Sequence, residues 1–145
     1  MRKISGLLLN LIIVFVMFLT GACSGNVEEK PNKKEVTFGE VVDLDSVEKV
    51  QMSNNSGTFM LSKQQIEQLK NDLSGMVYRP EFSAKMGSIG IKLTMNGKEF
   101  IISSATHGDF IEVHKSILSK HKASIATTDW LYFETAGVNF DNYKK

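Results

Sequence analysis

The chain has little of what most recognisable functions require. It holds one cysteine in 145 residues, which excludes a disulfide framework and any zinc site built from several thiolates. It has two prolines, and it shows neither an internal repeat nor a low-complexity segment inside the folded part. Neither sign of charge dominates. Lys and Arg number 17 against 16 Asp and Glu, a net of +1, so nothing electrostatic calls for nucleic acid as a partner. Hydrophobic residues at 42% and charged residues at 23% are the balance of one globular unit.

The long apolar run is short for a bilayer-spanning helix, which leaves an uncleaved anchor helix as the second reading. Leu7 to Leu19 is apolar except for Asn10, 13 residues in all, whereas a crossing helix needs about 20. Arg2 and Lys3 precede it, Gly21 and Ala22 follow, and Cys23 comes next. Positive start, short apolar core and small-residue exit describe a secretory signal peptide over residues 1–22. The stretch Leu19-Thr20-Gly21-Ala22-Cys23 resembles the lipobox of bacterial lipoprotein precursors. In that pattern leucine ordinarily stands three residues before the cysteine; here Thr20 does, with Leu19 one further back. The resemblance covers residues 1–23 and implies a diacylglyceryl thioether on Cys23, cleavage before it by signal peptidase II, and often acylation of the new amino terminus. It makes membrane lipid the partner of Cys23 and the extracytoplasmic face of the cell membrane the location.

The chemistry agrees. A lone thiol in an oxidising compartment is a liability, but as a thioether it is an anchor. Each buried methylene contributes about 0.8 kcal/mol, and two or more acyl chains hold firmly where one does not. Removal of residues 1–22 takes two bases and no acid, leaving 15 basic and 16 acidic side chains, a net of −1. No polybasic patch assists the lipid. Lysine outnumbers arginine 15 to 2, a bias associated with low-GC Gram-positive genomes.

Residues 24–35, SGNVEEKPNKKE, carry one apolar side chain, Val27. Such a segment cannot offset its ordering entropy and is expected to form, with Cys23, a lipidated flexible tether over 23–35. Twelve extended residues reach at most roughly 40 Å.

Residues 36–145 are expected to form one small extracytoplasmic domain. Ser62 and Gln65 can close a capping box, and Ile66, Leu69 and Leu73 share one helical face, which predicts an amphipathic helix over about 62–74. Gly75 then stands where a left-handed C-cap is wanted. Ile89, Ile91, Leu93 and Met95 alternate up to Asn96-Gly97, the strongest short-range hairpin signal. That turn sets Met95 against Lys98, Leu93 against Phe100 and Ile91 against Ile102. A second turn at His107-Gly108 sets Ile102 against Val113 and Ser104 against Ile111, leaving Ile101, Phe110, Glu112 and His114 outward. Further strands are expected at Val47–Met52, Thr58–Leu61 and Trp130–Glu134, and a weaker one near Val36–Val42. The fold class is α+β: an antiparallel meander with the helix on one face. Size, element order and lipobox together resemble small Gram-positive lipoproteins of unknown function.

Catalytic and metal signals are weak. His107, His114 and His121 recur every seven residues, but on strands His107 and His114 stand on the order of 20 Å apart, so they cannot share one ion. A Glu112/His114 pair reads as a solvated face. Ser119-x-x-Lys122 lacks its downstream partners, since Ser53-Asn54-Asn55 comes earlier and no Lys-Thr-Gly occurs. Thr106-His107-Gly108-Asp109 is turn chemistry. No cofactor or metal and no catalysis are expected. Trp130 and Tyr132, on the strand face opposite Leu131 and Phe133, join Phe110 and His114 as a candidate binding surface for a peptide or protein; the alternative is that a loop covers this face as the helix covers the other. The expected function is a non-catalytic binding or shielding module in the envelope. Self-protection, by lantibiotic immunity or conjugation exclusion, and an envelope enzyme or its accessory are the alternatives. Residues 36–145 made alone should fold cooperatively without reductant or metal; thermal melts that collapse on chelation would restore the histidines as ligands.

Overall fold

The computed structural model describes residues 35–80, 82, 86–119, 125 and 128–144. The signal-peptide pattern, Cys23, all of the tether but Glu35, His121 and the side chain of His107 lie outside the described residues.

Capping chemistry fixes the main helix. Ser62 Oγ accepts the Gln65 N–H at 3.3 Å and Gln65 Oε1 accepts the Ser62 N–H at 2.9 Å, so two otherwise orphaned donors at the helix start are satisfied. The helix runs Lys63–Ser74 and buries Ile66, Leu69 and Leu73, as their spacing predicts. We call it α2, after a one-turn helix α1 at Phe38–Val41.

Seven strands, β1 Val47–Asn54, β2 Gly57–Met60, β3 Val77–Tyr78, β4 Met86–Met95, β5 Lys98–Ala105, β6 Phe110–His114 and β7 Trp130–Glu134, form one sheet in the order β2-β1-β4-β5-β6-β7-β3. Every pairing is antiparallel. The protein is α+β, with a β4-β5-β6-β7 meander at its centre. Asn96 and Gly97 have φ of 51° and 71°, the left-handed pair that a type I′ turn requires. The turn delivers the expected register, Met95↔Lys98, Leu93↔Phe100 and Ile91↔Ile102, and the next hairpin gives Ile102↔Val113 and Ser104↔Ile111. The inner face, led by Met52, Ile91, Leu93, Ile102, Ile111 and Phe133, packs with the buried side of α2 and with Phe38 and Val41 of α1 into one core. Phe38 meets Phe133 edge-on at 5.0 Å.

Two expectations need correction. Between Val36 and Val42 only Thr37 makes a sheet bridge. Phe38–Val41 is helical because Glu40 Oε2 accepts the Thr37 N–H at 2.9 Å and the i, i+3 spacing sends Phe38 and Val41 into the core. Gly75 is right-handed, φ −87°: Met76 follows it into the core, fully buried, its N–H on Leu73 O and its carbonyl accepting the Phe38 N–H at 2.8 Å. The second turn closes at His107-Gly108 as expected, the Asp109 N–H donating to Thr106 O at 3.1 Å, with positive φ at Thr106 and Gly108 and a one-turn 3-10 helix over Thr106–Gly108. Strand β3 carries too short a signal to be anticipated. At the irregular start of β4, Gly87 approaches Ser104 so closely that a Cβ would sit 2.3 Å from its Oγ, while that Oγ accepts the Ile89 N–H.

The carboxyl-terminal segment is lashed to both layers. Asn54 Nδ2 donates to the carbonyls of Phe140 and Tyr143 at 2.9 and 2.8 Å, and Tyr143 Oη donates to Asp72 Oδ2 of α2 at 2.6 Å. Burial, and then this bond, push the Tyr143 phenol well above its ordinary range. Its stabilising effect is therefore complete below the unfolded phenol's value of about 10 and lost as pH rises above it. Tyr143→Phe should cost about 1 kcal/mol at neutral pH and flatten the loss of stability above about pH 10. Urea titrations across pH check this, and an unchanged alkaline slope would refute it.

Candidate functional site

Strand alternation gathers the four sequence-predicted residues on the face away from α2. Phe110 lies opposite Glu134, Glu112 opposite Tyr132, and His114 opposite Trp130. Their surroundings then divide them into two environments.

At the lower end the face is roofed. The Phe82 ring stacks on Phe110 with centroids 3.7 Å apart and planes at 14°, and it meets Tyr132 edge-on at 5.6 Å. Glu112, expected to be solvated, is 6% exposed. Its Oε2 accepts the Tyr132 hydroxyl at 2.7 Å. A carboxylate so enclosed depends on hydrogen bonds to offset its lost hydration, and Tyr132 supplies one. Glu112 is thus part of the packing and not half of a surface metal pair. Among the described residues no three His, Cys, Asp or Glu side chains come together as a metal would need.

At the upper end the face is open. Trp130 is 48% exposed and meets the His114 ring edge-on at 5.2 Å. His114 Nδ1 accepts the Ser116 N–H at 3.3 Å and lies 2.9 Å from Ser116 Oγ. Nε2 is the ring nitrogen that points away from that turn.

Cross-strand register extends this end into a row. Met60 pairs with Gln51, Gln51 with Lys92, and Lys92 with Ile101. One step beyond Ile102↔Val113, Ile101 comes opposite His114, which pairs with Trp130. The large hydrophobic side chains most exposed among the described residues, Met60 at 56%, Ile101 at 62% and Trp130 at 48%, all stand on this row. The next row, Thr58, Ser53, Gly90, Ser103, Glu112 and Tyr132, is small or polar until it reaches the roofed end. Sequence reasoning placed Ile101 outward but missed Met60, Phe82 and Arg79.

Arg79 closes the β7 edge. Its Nε and Nη2 donate to Glu134 Oε2 at 2.8 and 2.5 Å, and its Nη1 donates to Glu35 Oε1 at 3.0 Å; Glu134 first and then Glu35 raise the guanidinium's pKa. Beside it a cavity of about 380 Å³ is walled by Tyr78, Arg79, Phe82, Asp129, Trp130 and Tyr132. Lys115, 2.8 Å from Asp129, holds that carboxyl below its usual range. Both charges on the cavity wall therefore already have partners, and the rest of the wall is four aromatic rings with Pro80 and Thr128. A second cleft, of about 440 Å³, lies between α2 and the carboxyl-terminal segment and is lined by Gln65, Gln68, Asp72, Asn139, Asn142 and Tyr143. Its one carboxylate accepts from Gln68 and Tyr143. Both sites offer contact area and hydrogen-bonding groups.

No protein-family model matches the chain, and comparison with curated proteins and with solved structures gives no significant match.

Tyr132→Phe should destabilise the domain by about 1–3 kcal/mol by removing a donor from an enclosed carboxylate, whereas His114→Ala should stay within about 0.5 kcal/mol. Equal effects in chemical denaturation would place both residues on the same kind of surface.

Proposed function

We propose that this chain is a lipid-anchored protein of the extracytoplasmic membrane surface and acts there as a non-catalytic binding or shielding module. Two separate features support the reading. The amino-terminal pattern ending in Cys23 supplies an anchor and no other chemistry. The folded part has one sheet face covered by helices and another that holds Met60, Ile101 and Trp130 out to solvent.

The exposed row carries the binding half of the proposal. Exposed apolar side chains are ordinary when scattered. Three on one row of a sheet, the last of them, Trp130, lining a cavity, form an aligned if interrupted set. The polar groups nearby are engaged in structure: Glu112 with Tyr132, Arg79 with Glu134 and Glu35, and Asp129 with Lys115. A face of this composition recognises by contact area.

Cys23→Ala should abolish incorporation of labelled palmitate and release the chain from the membrane fraction or stall it as precursor. Unchanged labelling, or a mature protein still carrying residues 1–22, would overturn the anchored reading.

A further inference from the structure

We infer that the open sheet face is a bilayer-contact surface, with the row from Met60 to Trp130 seated in the lipid headgroup layer. This deepens the anchored reading above and rests on it.

The first argument is the make-up of the row. In order it reads Met60, Gln51, Lys92, Ile101, His114, Trp130, and it contains no carboxylate. Tryptophan prefers the membrane–water interface, methionine and isoleucine supply apolar depth, and lysine keeps its amine in the headgroups while its stem lies on apolar surface. Lys92 Nζ is 3.4 Å from Glu99, an exposed pair that costs little to exchange for a lipid phosphate. Charges flanking the row are mixed: Lys49, Glu99, Lys115 and Asp129. Attraction therefore comes from the apolar side chains and not from a net field.

The second argument is spacing. Strands lie about 4.8 Å apart, so Ile101 stands roughly 10 Å from Trp130 and roughly 14 Å from Met60, with Lys92, Gln51 and His114 between. Protein interfaces put contiguous, fully desolvated anchors at their centre. Separated apolar side chains with hydrated polar groups between them suit a fluid, wet headgroup layer.

The third argument is where the chain enters. Thr37 bridges Val77, and the Tyr78 N–H donates to Val36 O, so residues 35–37 run along the outer edge of β3. Glu35 there meets Arg79, whose N–H donates to Tyr132 O. Passing from Thr37 back to Glu35, the chain climbs from the level of Glu134 to that of Tyr132, towards the level of Trp130. The described chain thus begins at the outer edge of β3, at the level of Tyr132. Twelve positions then separate Glu35 from Cys23, a reach of at most roughly 40 Å, which holds this edge within that distance of the anchor.

Trp130 is the chain's sole tryptophan, so its emission reports on the row without any label. Full-length lipidated protein is inserted from detergent into preformed phosphatidylcholine/phosphatidylglycerol vesicles, with or without acyl-chain bromine, and the mass of the Cys23 peptide is measured on the same sample. The expected result is a blue-shifted emission quenched by the brominated lipid, with Ile101→Glu reversing both while leaving the Cys23 lipid in place. Lipid present on Cys23 with no bromine quenching would overturn the contact surface and leave the anchor standing. A chain with bare Cys23 that is nevertheless quenched on mixing with vesicles would support the surface and overturn the anchor. Concentration-dependent shielding from aqueous iodide without bromine quenching would give the face to a second copy and overturn the inference.

Discussion

The two-residue turn at Asn96-Gly97 is the constraint on which the molecule depends. Side chains alternate along a strand with a period of two, so a slip of one residue would exchange every inner position for an outer one. With both turn residues left-handed, Leu93 and Ile102 are committed to the core while Lys92 and Ile101 are committed to the other face. Strands β1, β6 and β7 inherit that division through their ladders, and α2 covers the side made apolar. The open face is the necessary complement of a well-specified core, and its content is free to serve something other than folding.

The core itself is ordinary and complete. Helix α2 is started by a reciprocal cap, buries three side chains at helical spacing, and hands the chain through Met76 to the edge of the sheet. The carboxyl-terminal segment returns to tie the β1–β2 turn to α2 through Asn54, Tyr143 and Asp72. Among the described residues no buried side-chain polar atom lacks a partner. The enclosed groups that might have suggested chemistry, Glu112 above all, are accounted for by the packing around them.

Much of this was legible in the sequence where the signal is local. Turn chemistry and alternation gave the registers of both hairpins, and a capping box with an apolar stripe gave α2. The misreadings share one cause, that tertiary partners decide between local options. Val36 to Val42 is rich enough in β-branched residues to pass for a strand, yet a Thr37–Glu40 cap and two core-facing side chains make most of it a turn of helix. Gly75 could have been left-handed, but Met76 had to enter the core. Alternation correctly put Trp130, Tyr132, Phe110 and His114 on one face, yet no period in β6 or β7 announces that Phe82 will roof half of them. The row from Met60 to Trp130 joins residues 70 positions apart in the chain, and it emerges only when six strands are laid side by side.

The most direct test of the account is a depth measurement on the whole lipidated protein in vesicles. With Cys23 occupied by lipid, a spin label at Ile101→Cys or at Glu67→Cys, on the solvent side of α2, is the sole labelled thiol. Relaxation by oxygen and by an aqueous nickel chelate should place the label at 101 among the headgroups and the label at 67 in bulk water. Equal, fully aqueous depths at both positions would contradict the account.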